Sequence, residues 1–319
     1  MKLSRRHIFA ALALAALPTP GFAGDTAPGS HAHTIALAKD AAPRSYRLYI
    51  PPGYDKAKPA TLVVMLHGRG GDAVRTGAMY GWNDLADKNG FVVAYPEALP
   101  DSQEQRAWNA VFTTGQKADD VAFLSALLAH LQTSLAVDTK RVYLVGHSSG
   151  AMMTYRFAAE KGDTLAAIGV VAGSIGSDFG VPGATGGRTI RVAKPVAPVP
   201  LVAFHGKADP IVPFDWHDKK GEPPIFRFVP APESVRLFVS ANGAEATPKR
   251  EESFAGNVVK ETFVGKSGAD VVFYQIGDGN HKWPGAKYTA EEEASSYGAA
   301  NKQVNATALI WEFFKAHPR

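Results

Sequence analysis

Arg141-Val142-Tyr143-Leu144-Val145-Gly146-His147-Ser148-Ser149-Gly150-Ala151-Met152-Met153-Thr154-Tyr155-Arg156-Phe157 is the stretch on which the fold turns. Its first five residues form a short, largely apolar run, as expected of a strand covered on both faces of a parallel sheet. From Ala151 to Lys161 the spacing becomes helical, and glycines stand two residues to either side of Ser148. A strand, a very tight turn and a helix are therefore predicted. Working outward, Thr61 to Leu66 is another almost continuous apolar run, and Phe91 to Tyr95, Ala166 to Ala172, Pro200 to Phe204 and Val271 to Ile276 read as further strands. Helical spacing lies around Tyr80 to Lys88, from Asp119 to Ala136, from Pro232 to Asn242 and from Ala300 to Ala316. Strands alternating with helices point to an α/β fold, a mostly parallel central sheet with helices on both faces.

Near the beginning, Ser45 to Ile50 alternates and stops at Pro51-Pro52-Gly53, a strand with one wet face, preceded by a loose linker from Gly24 to His33. Residues Ser174 to Pro198, rich in Gly, Pro and small polar types, break the rhythm. They read as a surface excursion or, alternatively, a loop over a site. No internal repeat or dividing linker is visible, so residues 24–319 are expected to form one domain.

Met1-Lys2-Leu3-Ser4-Arg5-Arg6-His7, the apolar run Ile8 to Leu17 and the segment ending at Ala23 read as a signal peptide over residues 1–23. Its paired arginines fit either a twin-arginine leader or an ordinary basic start. The apolar run is about half the roughly 20 residues a membrane span needs. An exported protein, periplasmic or extracellular, with no membrane span is expected. Without Lys2, Arg5 and Arg6 the 34 basic residues nearly balance the 30 acidic ones. No basic block suggests nucleic acid as a partner. Cysteine is absent, which excludes disulfides, thiolate catalysis and thiolate metal sites.

Serine hydroxyls are poor nucleophiles at neutral pH; acyl transfer needs a base beside the hydroxyl and donors facing the developing oxyanion. Gly146-His147-Ser148-Ser149-Gly150, set between a buried strand and a helix, has the form of a nucleophile elbow. Ser148 as a mere helix N-cap is the bland alternative. Strand alternation turns the His147 side chain away from that of Ser148, so His147 is expected to pack or hydrogen-bond rather than act as base. The oxyanion donors are expected to be the main-chain N–H groups of Ser149 and of Arg69, the latter in His67-Gly68-Arg69-Gly70-Gly71. Gly70-Gly71-Asp72 could also be only a turn. In the order nucleophile, acid, base, Asp209 is the first candidate acid and Asp178 the second. Among His217, His281 and His317, only His281 lies on a short loop just past a strand.

With these residues in place the chain resembles the poly(3-hydroxybutyrate) depolymerase and feruloyl esterase-like group of α/β hydrolases. The likeness rests on Leu66-His67-Gly68, Trp108-Asn109 followed by Asp119 to Leu124, Gly146 to Met153, His205-Gly206 with Asp209 and Val212-Pro213, and Asp278-Gly279-Asn280-His281-Lys282-Trp283-Pro284-Gly285. It implies an α/β-hydrolase fold, a secreted ester hydrolase with an acyl-enzyme on Ser148, and no metal or organic cofactor. By the same analogy Trp108 and Trp283 flank the substrate, although either could equally pack in the core. Many members of the group carry a Cys beside the oxyanion loop, where this chain has Arg69. With no separate polymer-binding module visible either, a small or oligomeric ester is expected rather than a solid polymer. A peptidase on the same fold and a non-catalytic binding protein are the rival readings.

Overall fold

The computed structural model describes residues 26–38, 40, 42–110, 118–179, 188–215, 226–294 and 298–319. The proposed leader (1–23), His217 and residues 180–187 of the Gly/Pro-rich segment lie outside them. The first half runs β1 (Gly29–Ile35), β2 (Arg44–Ile50), β3 (Ala60–Leu66), α1 (Ala73–Met79), α2 (Trp82–Asn89), β4 (Val92–Pro96), α3 (Asp120–Ser134), β5 (Val137–His147) and α4 (Ser149–Lys161). The second runs β6 (Ala167–Val171), β7 (Gly176–Phe179), β8 (Arg188–Arg191), β9 (Leu201–Gly206), β10 (Phe226–Phe228), α5 (Ala231–Ala241), β11 (Lys249–Ser253), β12 (Val258–Phe263), β13 (Val271–Ile276), α6 (Ala290–Glu293) and α7 (Ala306–Ala316).

Ten strands form one sheet in the order β1-β2-β4-β3-β5-β6-β9-β13-β12-β11. The central strands from β4 to β13 pair in parallel, while the pairs at either edge are antiparallel. Every residue of β3, β4, β6 and β9 is buried, as their unbroken apolar runs require of strands covered on both sides. On one face Leu124, Leu127 and Leu131 of α3, Phe157 of α4 and Phe238 of α5 pack against Leu62, Leu144 and Ile168. On the other, Trp82 of α2 and Ile310, Trp311 and Phe314 of α7 pack against Val63, Tyr143 and Val202. Buried Arg44 donates to buried Asp120 at 2.7 Å, and the second Asp120 oxygen accepts the Asn109 N–H at 2.7 Å. This pair ties the start of α3 to an outer strand and to the loop that carries Trp108.

Three segments differ from expectation. Residues 29–35 are not a linker but β1, antiparallel to β2. Its half-buried face is made by His31, His33 and Ile35, with His33 stacked on Tyr46 at 5.3 Å, so only one residue of that face is strongly apolar. The terminal helix begins at Ala306 rather than Ala300, because the Asn305 side chain accepts the Ala308 N–H and caps it there. Within Ser174 to Pro198, β7 and β8 join β10 in a separate three-stranded sheet, and Ile175 and Val192 are buried in the main core.

Candidate active site

Ser148 joins β5 to α4 with φ 53° and ψ −119°, a left-handed conformation costly for a residue with a Cβ. Its neighbours make the turn possible. A Cβ on Gly146 would overlap the main chain of Gly150, and one on Gly150 would overlap that of Leu66 and His67. The Ser148 N–H donates to Val171 O at 3.0 Å, fixing the turn to β6. Ser148 makes no side-chain cap for α4, so the N-cap reading fails. Its Oγ instead lies 2.8 Å from His281 Nε2.

His281 stands on the loop after β13, and its Nδ1 is 2.8 Å from Asp209 Oδ2 on the loop after β9. Parallel pairing of β9 with β13 carries both loops to the same sheet end as the turn after β5. The other Asp209 oxygen accepts the N–H groups of Ile211 and Val212 at 2.8 and 2.9 Å. Burial opposes the Asp209 charge, but the hydrogen bond and charge of His281, the charge of His205 and the Val212 N–H outweigh it and hold the carboxyl below its usual range. Asp178 lies in β7, its carboxylate 3.8 Å from Arg191, and His317 caps α7 with Nδ1 on Phe313 O at 2.7 Å. Neither joins this chain of hydrogen bonds.

His147 is buried and holds the His281 loop from behind. Its Nε2–H donates to His281 O at 2.8 Å and its Nδ1 accepts from the Tyr80 hydroxyl at 2.9 Å. Burial, reinforced by the neighbouring His281, lowers its pKa from 6.5 to about 3, so the ring is neutral. It is a strut, as expected, and not the group that meets Ser148.

Two main-chain N–H groups beside the elbow are the candidate oxyanion donors. Ser149 is the first residue of α4, and the first N–H groups of a helix have no intrahelical acceptor. In the loop after β3, Gly70 N–H donates to Arg106 O at 2.8 Å and Gly71 N–H to Gly68 O at 3.0 Å, whereas the Arg69 N–H has no acceptor among the described residues. The Arg69 side chain points elsewhere, its Nε 2.7 Å from buried Asp101 and its Nη2 2.7 Å from Gln103. Trp108 Nε1–H donates to His67 O at 2.9 Å, and His67 Nε2 accepts the Ala98 N–H at 3.1 Å. Segment 98–108 thus clamps the loop along its length, in a chain with no cysteine to staple it.

A cleft of about 380 Å³ opens over Ser148 and His281. Gly68 to Gly71 wall one side of it, and Arg75, Tyr80, Ile211, Lys282, Tyr288 and Glu292 complete much of the rest. The two tryptophans expected to flank substrate do not line it. Trp108 is 1 % exposed, under the loop it bonds to. Trp283 is fully buried, stacked on Tyr80 at 4.5 Å with its Nε1–H on Thr307 Oγ1 at 3.0 Å. Each indole N–H found an acceptor inside the protein, which lets the ring sink into the core. The aromatic wall of the cleft is Tyr80 and Tyr288, neither of which any sequence motif marked. Among the described residues no cluster of His, Asp or Glu could hold a metal ion, and no helix is long and apolar enough to cross a membrane.

Residues 44–209, just over half of the chain, match the family model described as esterase PHB depolymerase. The chain belongs to that family. Among curated relatives, NocK of Nocardia uniformis subsp. tsuyamanensis, to which an esterase activity is ascribed, is 31 % identical over 85 % of this chain and 78 % of its own length. Feruloyl esterase C of Emericella nidulans is 27 % identical over 86 % of this chain and 84 % of its own. Among solved structures, an acetyl xylan esterase from Aspergillus awamori superposes with a TM-score of 0.56 at 15 % identity, covering 90 % of this chain and 99 % of that one. A ferulic acid esterase from Anaeromyces mucronatus gives 0.53 at 14 % identity, covering 91 % and 90 %. At such identities these structures speak to fold alone, and the fold is that of the α/β hydrolases. This PHB depolymerase-family member is a carboxylic ester hydrolase, and the linked Ser148, His281 and Asp209 are compatible with that activity.

Proposed function

We propose that this esterase is exported and cleaves small or oligomeric esters, of hydroxyalkanoate, feruloyl or acetyl type, through an acyl-enzyme on Ser148. The observation that carries the proposal is the unbroken chain from Ser148 Oγ to His281 Nε2 and from His281 Nδ1 to Asp209 Oδ2, each link 2.8 Å. In this reading Ser148 Oγ attacks the ester carbonyl while His281 Nε2 takes its proton. Asp209, fixed by two N–H groups, holds the ring in the tautomer with its proton on Nδ1 and stabilises the imidazolium. The Arg69 and Ser149 N–H groups receive the oxyanion. His281 then protonates the departing alcohol, water enters, and the acid is released. A cleft of about 380 Å³ supports small or oligomeric esters over a solid polymer. Export is supported by the leader-like residues 1–23.

Ser148→Ala is expected to fold normally and to lose turnover of a short 4-nitrophenyl ester by about four to six orders of magnitude. Turnover within tenfold of wild type by the purified variant overturns the assignment.

A further inference from the structure

Three cations and one carboxylate line the cleft beside Ser148 and His281: Arg69, Arg75 of α1, Lys282, and Glu292 of α6. The carboxylate is already engaged. Its Oε1 takes Arg75 at 2.5 Å, and its Oε2 accepts the Thr289 N–H at 2.7 Å in the capping box of α6. Lys282 is left with no carboxylate partner among the described residues. Its ammonium donates to the main-chain carbonyl of Glu292 and stands over the Tyr288 ring, 5.2 Å from the centroid. Lys282 itself and both residues its ammonium touches line the cleft.

Lys282 is only 6 % exposed. An ammonium has three N–H donors, and a buried one is expensive to keep without a counter-charge. One carbonyl and one ring face satisfy it in part. Asp101 neutralises Arg69 and Glu292 neutralises Arg75, which leaves the cleft with the single positive charge of Lys282, one residue from His281. That charge matches a monoanion; a phosphate dianion would remain half compensated.

We infer that Lys282 is an anion-recognition residue, and that the preferred ester carries a free carboxylate, on its acid or its alcohol part, which completes the bonds of this ammonium. The inference rests on the esterase reading of the cleft and adds charge specificity to it. A chain end of a hydroxyacid oligomer or a half-ester of a dicarboxylic acid has this chemistry.

Two matched pairs of probes test it on the full protein. One is 4-nitrophenyl hydrogen adipate against 4-nitrophenyl methyl adipate, with the carboxylate on the acyl side. The other is 4-(butanoyloxy)benzoate against its methyl ester, with the carboxylate on the leaving group. In at least one pair the wild type is expected to favour the anion in kcat/KM by about tenfold or more. Lys282→Met should bring that ratio to about one, mainly through KM of the anionic ester. Arg75→Gln, at an exposed position, leaves the Glu292 charge uncancelled on the same wall and should lower the ratio too, so the test does not depend on one variant folding. A ratio near one in both pairs for a wild type that cleaves the neutral esters overturns the anion site alone, as does a preference that survives in folded Lys282→Met. Failure to cleave any of the four esters overturns the esterase reading and the inference together.

Discussion

Replacing His147 by Asn should flatten part of the acid sensitivity of folding, and the size of the effect can be worked from the structure. The ring is buried between the Tyr80 hydroxyl and His281 O, and its pKa falls from 6.5 to about 3, chiefly through burial. A base whose folded pKa lies below its unfolded value favours the folded state when neutral. Its contribution is complete above 6.5 and is lost as the pH falls from there toward 3. At about pH 5 the unfolded chain has bound this proton and the folded protein has not, a loss of about 2 kcal/mol. Because that pH lies well above the folded value, the figure depends almost entirely on the unfolded pKa. Urea titrations of wild type and His147→Asn at about pH 7.5 and pH 5 measure it. The stability gap between wild type and variant should shrink by about 2 kcal/mol at the lower pH. His67 and His205, also lowered by burial, titrate in both proteins and cancel. Parallel pH dependences of the two proteins would refute the neutral, buried strut.

Asp209→Asn should keep the fold and lower kcat on a short ester by about 10³- to 10⁴-fold, because the amide favours the wrong imidazole tautomer; stopped assays on purified protein check it. Were Asp178→Asn the more damaging change, the acid would be misassigned. Trp108→Phe removes the bond to His67 O and should cost about 1–3 kcal/mol in urea unfolding, while the relative kcat/KM for acetyl, butanoyl and feruloyl esters stays as in wild type. A changed ranking of those esters would show that the ring reaches substrate.

Much of the central sheet is legible in the chain because strands buried on both faces are built mostly of apolar residues. β3, β4, β6 and β9 therefore stand out as apolar runs, and Ser148 is marked by the glycines its turn demands. The edges carry no such signal. β11, Lys-Arg-Glu-Glu-Ser, is exposed at every residue and is a strand only because β12 offers it a ladder. Order along the chain suggested Asp209 and His281, since each follows a strand of the parallel core. The cleft wall was not readable in the same way. Arg75 and Glu292 meet across 217 residues, and only the folded chain brings them together. Trp108 and Trp283 could not be placed for a related reason: a tryptophan beside a motif looks the same whether its N–H faces a ligand or a buried acceptor. Lys282 had one available mark, its place directly after His281.

Ser148 is the centre of the account, and covalent capture tests it most directly. A fluorophosphonate should add one label per chain, mapped by peptide mass spectrometry to the segment holding Ser148, and Ser148→Ala should take none. Labelling at another residue, or an active enzyme that takes no label at Ser148, would contradict the account.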